Sequence, residues 1–231
     1  MTEQQRSVSR ELALAAQSLF RRGYSFGTAG NLSARVDEGV VVSPTNCSFE
    51  DLQEDAFAIV DLKGVSMTEQ KPSKETHFHL AIYEVREEAR AVVHLHSTYA
   101  TAVSCLPYDE NAQVLPVYTP YFAMRIPALP VVPYLRPGHP SLAEEVRHAA
   151  SLSPAMLLKN HGSITTGKTI REATALAEEL EEQAKLFFLL NGRCETLNAS
   201  QVAELRGFGM RRAIPLGRAR RGDERMGVRL D

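Results

Sequence analysis

Apolar residues recur at helical spacing at Val8, Leu12, Ala15, Ala16 and Leu19, and Gly23 follows where a C-cap would stand, so the pattern predicts an opening amphipathic helix. The run Gly27-Thr28-Ala29-Gly30-Asn31 then brings in small residues that let the backbone turn and approach a ligand closely. Short apolar runs predict strands over 32–36, 39–42 and 56–62. The polar loop Ser43-Pro44-Thr45-Asn46 follows the second of these, and a helical turn around 49–52 precedes the third. Pro72 disfavours helix at Lys71, and Ser73 suits the N-cap of a helix through Phe78, Leu80, Ala81 and Val85, which would put Glu75 in its first turn.

The stretch 91–97, Ala-Val-Val-His-Leu-His-Ser, reads as a buried strand ending in His-x-His. Side chains alternate along a strand, so His94 and His96 share a face with Cα atoms roughly 6 to 7 Å apart, near enough to share one metal ion. A helix over 98–106 follows, then a proline-punctuated region over 107–140 that holds Thr119-Pro120-Tyr121-Phe122-Ala123-Met124-Arg125 and a strand over 131–134. A helix over 141–150 leads to a hairpin of 155–158 and 163–166, whose tip is Lys159-Asn160-His161-Gly162. The closing helix carries an apolar stripe of Ile170, Ala173, Thr174, Ala177, Leu180, Ala184, Phe187 and Phe188, with glutamates on its other face, and ends at Gly192. Strands interleaved with helices argue for an α/β domain.

A chain of 231 residues, 44% hydrophobic and 23% charged, fits one compact domain, expected over 1–208. Between Arg211 and Asp231 seven arginines face three acidic residues, so 209–231 is expected to be a mobile basic tail. A net charge of −2 gives no reason to expect nucleic-acid or membrane partners. No apolar run reaches the roughly 18 residues of a spanning helix and the amino terminus lacks a signal-peptide core, which points to the cytoplasm. Cys47, Cys105 and Cys194 form no C-x-x-C, so neither a disulfide framework nor a thiolate zinc site is indicated. A metal would have to be held by nitrogen and oxygen ligands.

Of the seven histidines, His77, His79, His139 and His148 read as ordinary core or surface residues. His77 and His79, two apart on a predicted helix, diverge by about 200° and cannot share a metal. His94, His96 and His161 fall at strand or hairpin ends, where an open α/β sheet gathers functional groups. Three histidines with an open fourth position form a catalytic zinc arrangement, the ion acting as a Lewis acid, and Glu75 is the candidate acid/base partner. A cupin site is excluded, because Tyr99 and Ala100 stand where its glutamate would.

Thr28-Ala29-Gly30-Asn31-Leu32-Ser33, Lys71-Pro72-Ser73-Lys74-Glu75, His94-Leu95-His96-Ser97 and Asn160-His161-Gly162, in that order, resemble the class II aldolase/adducin family over about residues 4–208. Within it, Val92-Val93-His94-Leu95-His96-Ser97-Thr98, Thr119-Pro120-Tyr121, the stretch from Val131 to Gly138 and Glu178-Glu179-Leu180-Glu181-Glu182 are most similar to members that decarboxylate 3-oxo-tetronate 4-phosphates. The resemblance implies a three-layer α/β/α fold around a central, mainly antiparallel sheet, a homotetramer, and one zinc ion per subunit held by His94, His96 and His161. Glu75 matches the carboxylate that ligates the resting metal and accepts or donates a proton.

Gly30, Asn31, Thr45, Asn46, Ser73 and Lys74 match the family's phosphate-binding loops, which implies a phosphorylated small-molecule substrate. Asn46 departs from the glycine usual there, and asparagine tolerates a left-handed backbone better than other residues. A phosphate at Ser73 and Lys74 would meet free N–H groups at a helix N-terminus and an ammonium; the alternative is a capping serine and a solvated lysine. The implied activity is zinc-dependent conversion of a 3-oxo-tetronate 4-phosphate to dihydroxyacetone phosphate and carbon dioxide, in four-carbon acid sugar catabolism, with Glu75 controlling proton delivery. A sugar-phosphate aldolase or epimerase of the fuculose- or ribulose-phosphate type would use the same zinc site. Retention of the three histidines and Glu75 argues against a non-catalytic adducin-like module. Tyr121 is either core or a catalytic residue visiting a neighbouring subunit's site.

Overall fold

The computed structural model describes residues 1–108, 114–136 and 138–211. Its elements run α1 (Glu3–Arg21), β1 (Asn31–Val36), β2 (Gly39–Val42), β3 (Ala58–Val60), α2 (Thr76–Val85), β4 (Ala91–Leu95) and α3 (Thr98–Cys105). Then follow α4 (Pro120–Arg125), β5 (Val131–Val132), α5 (Pro140–Leu152), β6 (Ala155–Leu158), β7 (Gly162–Gly167), α6 (Ile170–Leu190) and α7 (Ala199–Arg211). The opening helix is stopped at both ends by its own sequence. Thr2 and Gln5 form a reciprocal capping box, and at the other end Gly23 takes φ 78° while Tyr24 N–H reaches back to the Leu19 carbonyl.

The strands form one sheet in the order β3-β2-β1-β4-β7-β6-β5, and among the described residues only the β5–β6 pair is parallel. Alternation along β4 sets the layers. Ala91, Val93 and Leu95 pack with Leu12, Ala16 and Leu19 of α1 and with Ala173 and Ala177 of α6. Val92 faces the other way, toward Phe78 and Ile82 of α2 and Leu142 and Val146 of α5. The result is the expected three-layer α/β/α arrangement, with each buried Leu, Val or Phe adding on the order of 1.5–3 kcal/mol. A third apolar cluster joins α3, α4 and α6 to Ala155 and Leu157 of β6.

Several local expectations are corrected. The third strand shrinks to Ala58–Val60, the strand expected over 131–134 keeps only Val131–Val132, and 49–52 holds no helical turn. Ser73 is not the cap of α2, which begins at Thr76 with Glu75 in the N-cap position; Ser73 closes the preceding turn instead, its Oγ accepting the Glu75 N–H at 3.2 Å. Two helices were not foreseen although both carry start signals. Thr119-Pro120 caps α4, and Asn198 with Gln201 forms a capping box before α7. On α6 the glutamates do not all face solvent, because Glu181 is 6% exposed. Conversely Phe188, expected in the apolar stripe, is 37% exposed. Helix α7 runs past the domain boundary expected at 208, and residues 212–231 of the expected tail lie outside the described residues.

Candidate metal centre

The centre forms where β4 ends beside the first residues of β1 and β7. In register, Asn31 lies opposite His94 on one flank of β4, and Ile164 lies opposite it on the other. Two glycines make this approach possible. A Cβ on Gly30 would stand 2.7 Å from the His94 carbonyl oxygen, and one on Gly162 only 2.3 Å from that of Leu95. Both glycines therefore let neighbouring backbone close on the last residues of β4.

His94, His96, His161 and Glu75 gather there, each offering a ligand atom within 4.8 Å of all the others. The Glu75 Oε2 stands 3.4 Å from His94 Nε2, and its Oε1 stands 3.4 Å from His161 Nε2. His94 is fully buried, and its Nδ1 lies 2.9 Å from the Ser163 carbonyl oxygen. A carbonyl only accepts, so Nδ1 carries the proton and Nε2 presents a lone pair to the cluster. Burial, then the neighbouring His96 and His161, hold His94 well below the usual imidazole value. Burial and His161 push His96 down to about 4, and burial lowers His161 as well. Three imidazoles kept neutral beside one carboxylate are the protonation states that a divalent ion needs, so the donor set fits a metal held by three nitrogens and an oxygen.

Helix α3 clamps the two arms of the cluster together. At its N-terminus the buried Glu181 accepts hydrogen bonds from Ser97 Oγ at 2.8 Å, Tyr99 N–H at 2.9 Å and Ala100 N–H at 2.7 Å, fixing the chain that leaves His96. At its C-terminus the Asn160 N–H donates to the Ser104 carbonyl and Lys159 Nζ to that of Leu106, docking the hairpin tip that carries His161. The neighbouring glutamates of α6 bind other elements: Glu178 pairs with Arg22, Glu179 accepts from Thr119, and Glu182 accepts from Tyr24.

Two of the expected phosphate loops lie side by side. The Thr45 N–H donates to the Lys71 carbonyl and the Ser73 N–H to that of Ser43, which sets Thr45 and Asn46 beside Ser73 and Lys74. Asn46 takes φ 56°, the left-handed conformation open to asparagine. Lys74 is exposed and makes no ion pair with a described residue. Asn31 is different from the loop residues: it is buried, its Nδ2 donates to Glu75 Oε2 at 2.7 Å, and its Oδ1 faces His79 Nε2 at 2.6 Å.

Tyr121 is not core. It stands 60% exposed on α4 with the Arg125 guanidinium 5.7 Å over its ring, and it is not part of the cluster. His148 is exposed and His139 caps α5 through Ser141 N–H, in line with their ordinary reading. His79, read as an ordinary core or surface residue, is core and fully buried; what sequence reasoning missed is its hydrogen bonding to Asn31 and Ser33. Its signal was present, since Glu75, His79 and Tyr83 are spaced four apart and so share one helix face.

The model for the class II aldolase and adducin N-terminal domain matches residues 10–188. The chain is 44% identical over 195 residues, 84% of its own length and 93% of the relative's, to 3-oxo-tetronate 4-phosphate decarboxylase of Haemophilus influenzae. It is 36% identical over 173 residues, 75% of its own length and 91% of the relative's, to L-fuculose phosphate aldolase of Methanococcus maripaludis. A crystal structure from Klebsiella pneumoniae, of a protein whose description names aldolase, epimerase and decarboxylase together, superposes with a TM-score of 0.85 at 41% identity, covering 89% of this chain and all of that one.

Proposed function

The chain belongs to the class II aldolase and adducin family, and from that premise we propose that it decarboxylates a 3-oxo-tetronate 4-phosphate to dihydroxyacetone phosphate and carbon dioxide. The observation that carries this reading is the 44% identity to a decarboxylase of that name over 93% of its length. The substrate is a β-keto acid. Its C1–C2 bond breaks, the electron pair enters an enediolate across C2 and C3, and C2 then takes a proton.

Zinc is the ion proposed for the four-residue cluster, where it would supply Lewis acidity toward the ketone oxygen. His94, His96 and His161 would present neutral ring nitrogens to it. Glu75, whose side chain is 12% exposed, moves the proton. Asn31 donates to Oε2, so the proton is better carried on Oε1, because a carboxyl group accepts a hydrogen bond more readily at its unprotonated oxygen. Ser73 and Lys74, with Thr45 and Asn46 beside them, grip the phosphate; this remote contact supplies positioning to the reacting carbons.

A homotetramer is part of the proposal. Tyr121, exposed on α4 and outside its own chain's cluster, serves a neighbouring subunit's site. A fully active monomer would contradict this.

Aldol cleavage of a sugar phosphate is the second reading, favoured by the 36% identity to the Methanococcus maripaludis aldolase. The test offers purified, zinc-loaded protein both substrate classes. The proposal requires dihydroxyacetone phosphate with carbon dioxide from the β-keto acid; dihydroxyacetone phosphate with an aldehyde, from the ketose phosphate alone, would favour the aldolase.

A further inference from the structure

Five side chains form an unbroken line from the core to the centre. The Tyr83 hydroxyl lies 2.9 Å from Ser33 Oγ, Ser33 Oγ lies 2.7 Å from His79 Nδ1, His79 Nε2 lies 2.6 Å from Asn31 Oδ1, and Asn31 Nδ2 lies 2.7 Å from Glu75 Oε2. Ser33, His79, Asn31 and Tyr83 are all buried, so water does not compete for these contacts. The direction of every bond is set from the Glu75 end. An ionised carboxylate only accepts, so Asn31 must present its NH₂ group, and its Oδ1 must face His79. That oxygen needs a donor, which makes His79 the Nε2–H tautomer. Its Nδ1 then accepts from Ser33, and Ser33 accepts from Tyr83.

The imidazole suits this line because it stays neutral, with one donor and one acceptor. Burial, followed by the nearby His94, pushes His79 down to about 3. Without the His79 donor, the Asn31 amide could turn over. Its carbonyl oxygen would then face the Glu75 carboxylate, two acceptors opposed with no hydrogen between them.

We propose that His79 is a positioning residue for the reaction: through Asn31 it holds the Glu75 carboxylate by Oε2 and keeps Oε1 turned to the reacting carbon. The inference rests on the reading of Glu75 as the proton carrier. It assigns a task to a histidine that touches neither substrate nor metal.

Two substitutions separate positioning from simple core support. His79→Gln can place an N–H near the position of Nε2, whereas His79→Asn is too short to reach Asn31 with one. The zinc-loaded His79→Asn enzyme is expected to lose about tenfold in kcat, with KM and zinc content within about twofold of the parent, as for other losses of an orienting partner. His79→Gln should recover most of that loss. Equal losses in both variants that track their melting temperatures, or no loss in either, would overturn the proposal. A second measurement needs no turnover and no variant. Ring-nitrogen shifts of His79 in the metal-free parent protein should report the Nε2–H tautomer; the Nδ1–H tautomer would overturn the proposal. If the parent decarboxylates none of the substrates offered, the reading of the reaction fails, while the positioning line still stands or falls on that tautomer.

Discussion

His94 donates its Nδ1 proton to the Ser163 carbonyl across the β4–β7 ladder, a 2.9 Å hydrogen bond that leaves Nε2 as a lone pair. That lone pair faces His96 Nε2 at 2.9 Å. Two ring nitrogens so close share either the N–H of a neutral His96 or a cation, and with His161 and Glu75 they offer a cation four donor atoms. Elemental analysis should therefore find about one zinc per chain, lost on replacing His94, His96 or His161 with Ala. Full occupancy in all three variants would remove the metal centre from the account.

Phosphate anchoring predicts a different kinetic signature. Ser73→Ala and Lys74→Ala should each raise KM for the phosphorylated substrate by roughly 10-fold while leaving zinc content intact, because a remote anchor contributes mainly uniform binding. Unchanged KM in both would reduce Ser73 to the turn that its Oγ closes with the Glu75 N–H.

The buried imidazoles also predict how stability depends on pH. Burial holds His79 at about 3 and His96 at about 4, against an ordinary value of 6.5. Between 6.5 and those values the unfolded chain binds more protons than the folded one, so stability falls as pH falls through that window and is fully retained above it. The melting temperature of the metal-free protein should drop as pH is lowered from 6.5 to 4, and less steeply in His79→Gln. Parallel curves for the two proteins would show that His79 does not contribute to the effect.

The layers and the three histidines were legible because they follow simple periods. A strand period of two puts His94 and His96 together, and the hairpin of β6 and β7 delivers His161 at its tip. What was hidden depends on tertiary partners. Glu181 sits in a glutamate-rich stretch that reads as a solvated face, and only the packing of α3 against α6 reveals it as the group that holds the Ser97 and Ala100 ends of the chain. Ser, Thr, Asp and Asn before an apolar run usually cap a helix; at Ser73 the pairing of 43–45 with 71–73 ties the backbone to the neighbouring loop, and the helix starts later. The partners of His79 are hidden because a histidine on a helix does not by itself say which face meets the sheet. Asn31 and Ser33, alternating on β1, decide that.

Glu75→Gln keeps the shape of the side chain and removes the proton carrier. The variant should keep most of its zinc through the three histidines and lose about 10²-fold or more in kcat, the usual scale for a general acid/base. Full zinc with near-normal kcat would mean that solvent delivers the proton.

The most direct test of the central claim follows the carbon that leaves. Zinc-loaded protein is given a 3-oxo-tetronate 4-phosphate carrying ¹³C at C1, in each C2 configuration, and labelled carbon dioxide and dihydroxyacetone phosphate are followed together after subtraction of the spontaneous loss that β-keto acids show. The account predicts equal amounts of the two products from at least one configuration, formed by the parent protein and abolished by His94→Ala. Release no faster than the spontaneous rate in both configurations, from protein that holds its zinc and cleaves a ketose phosphate to an aldehyde, would contradict it.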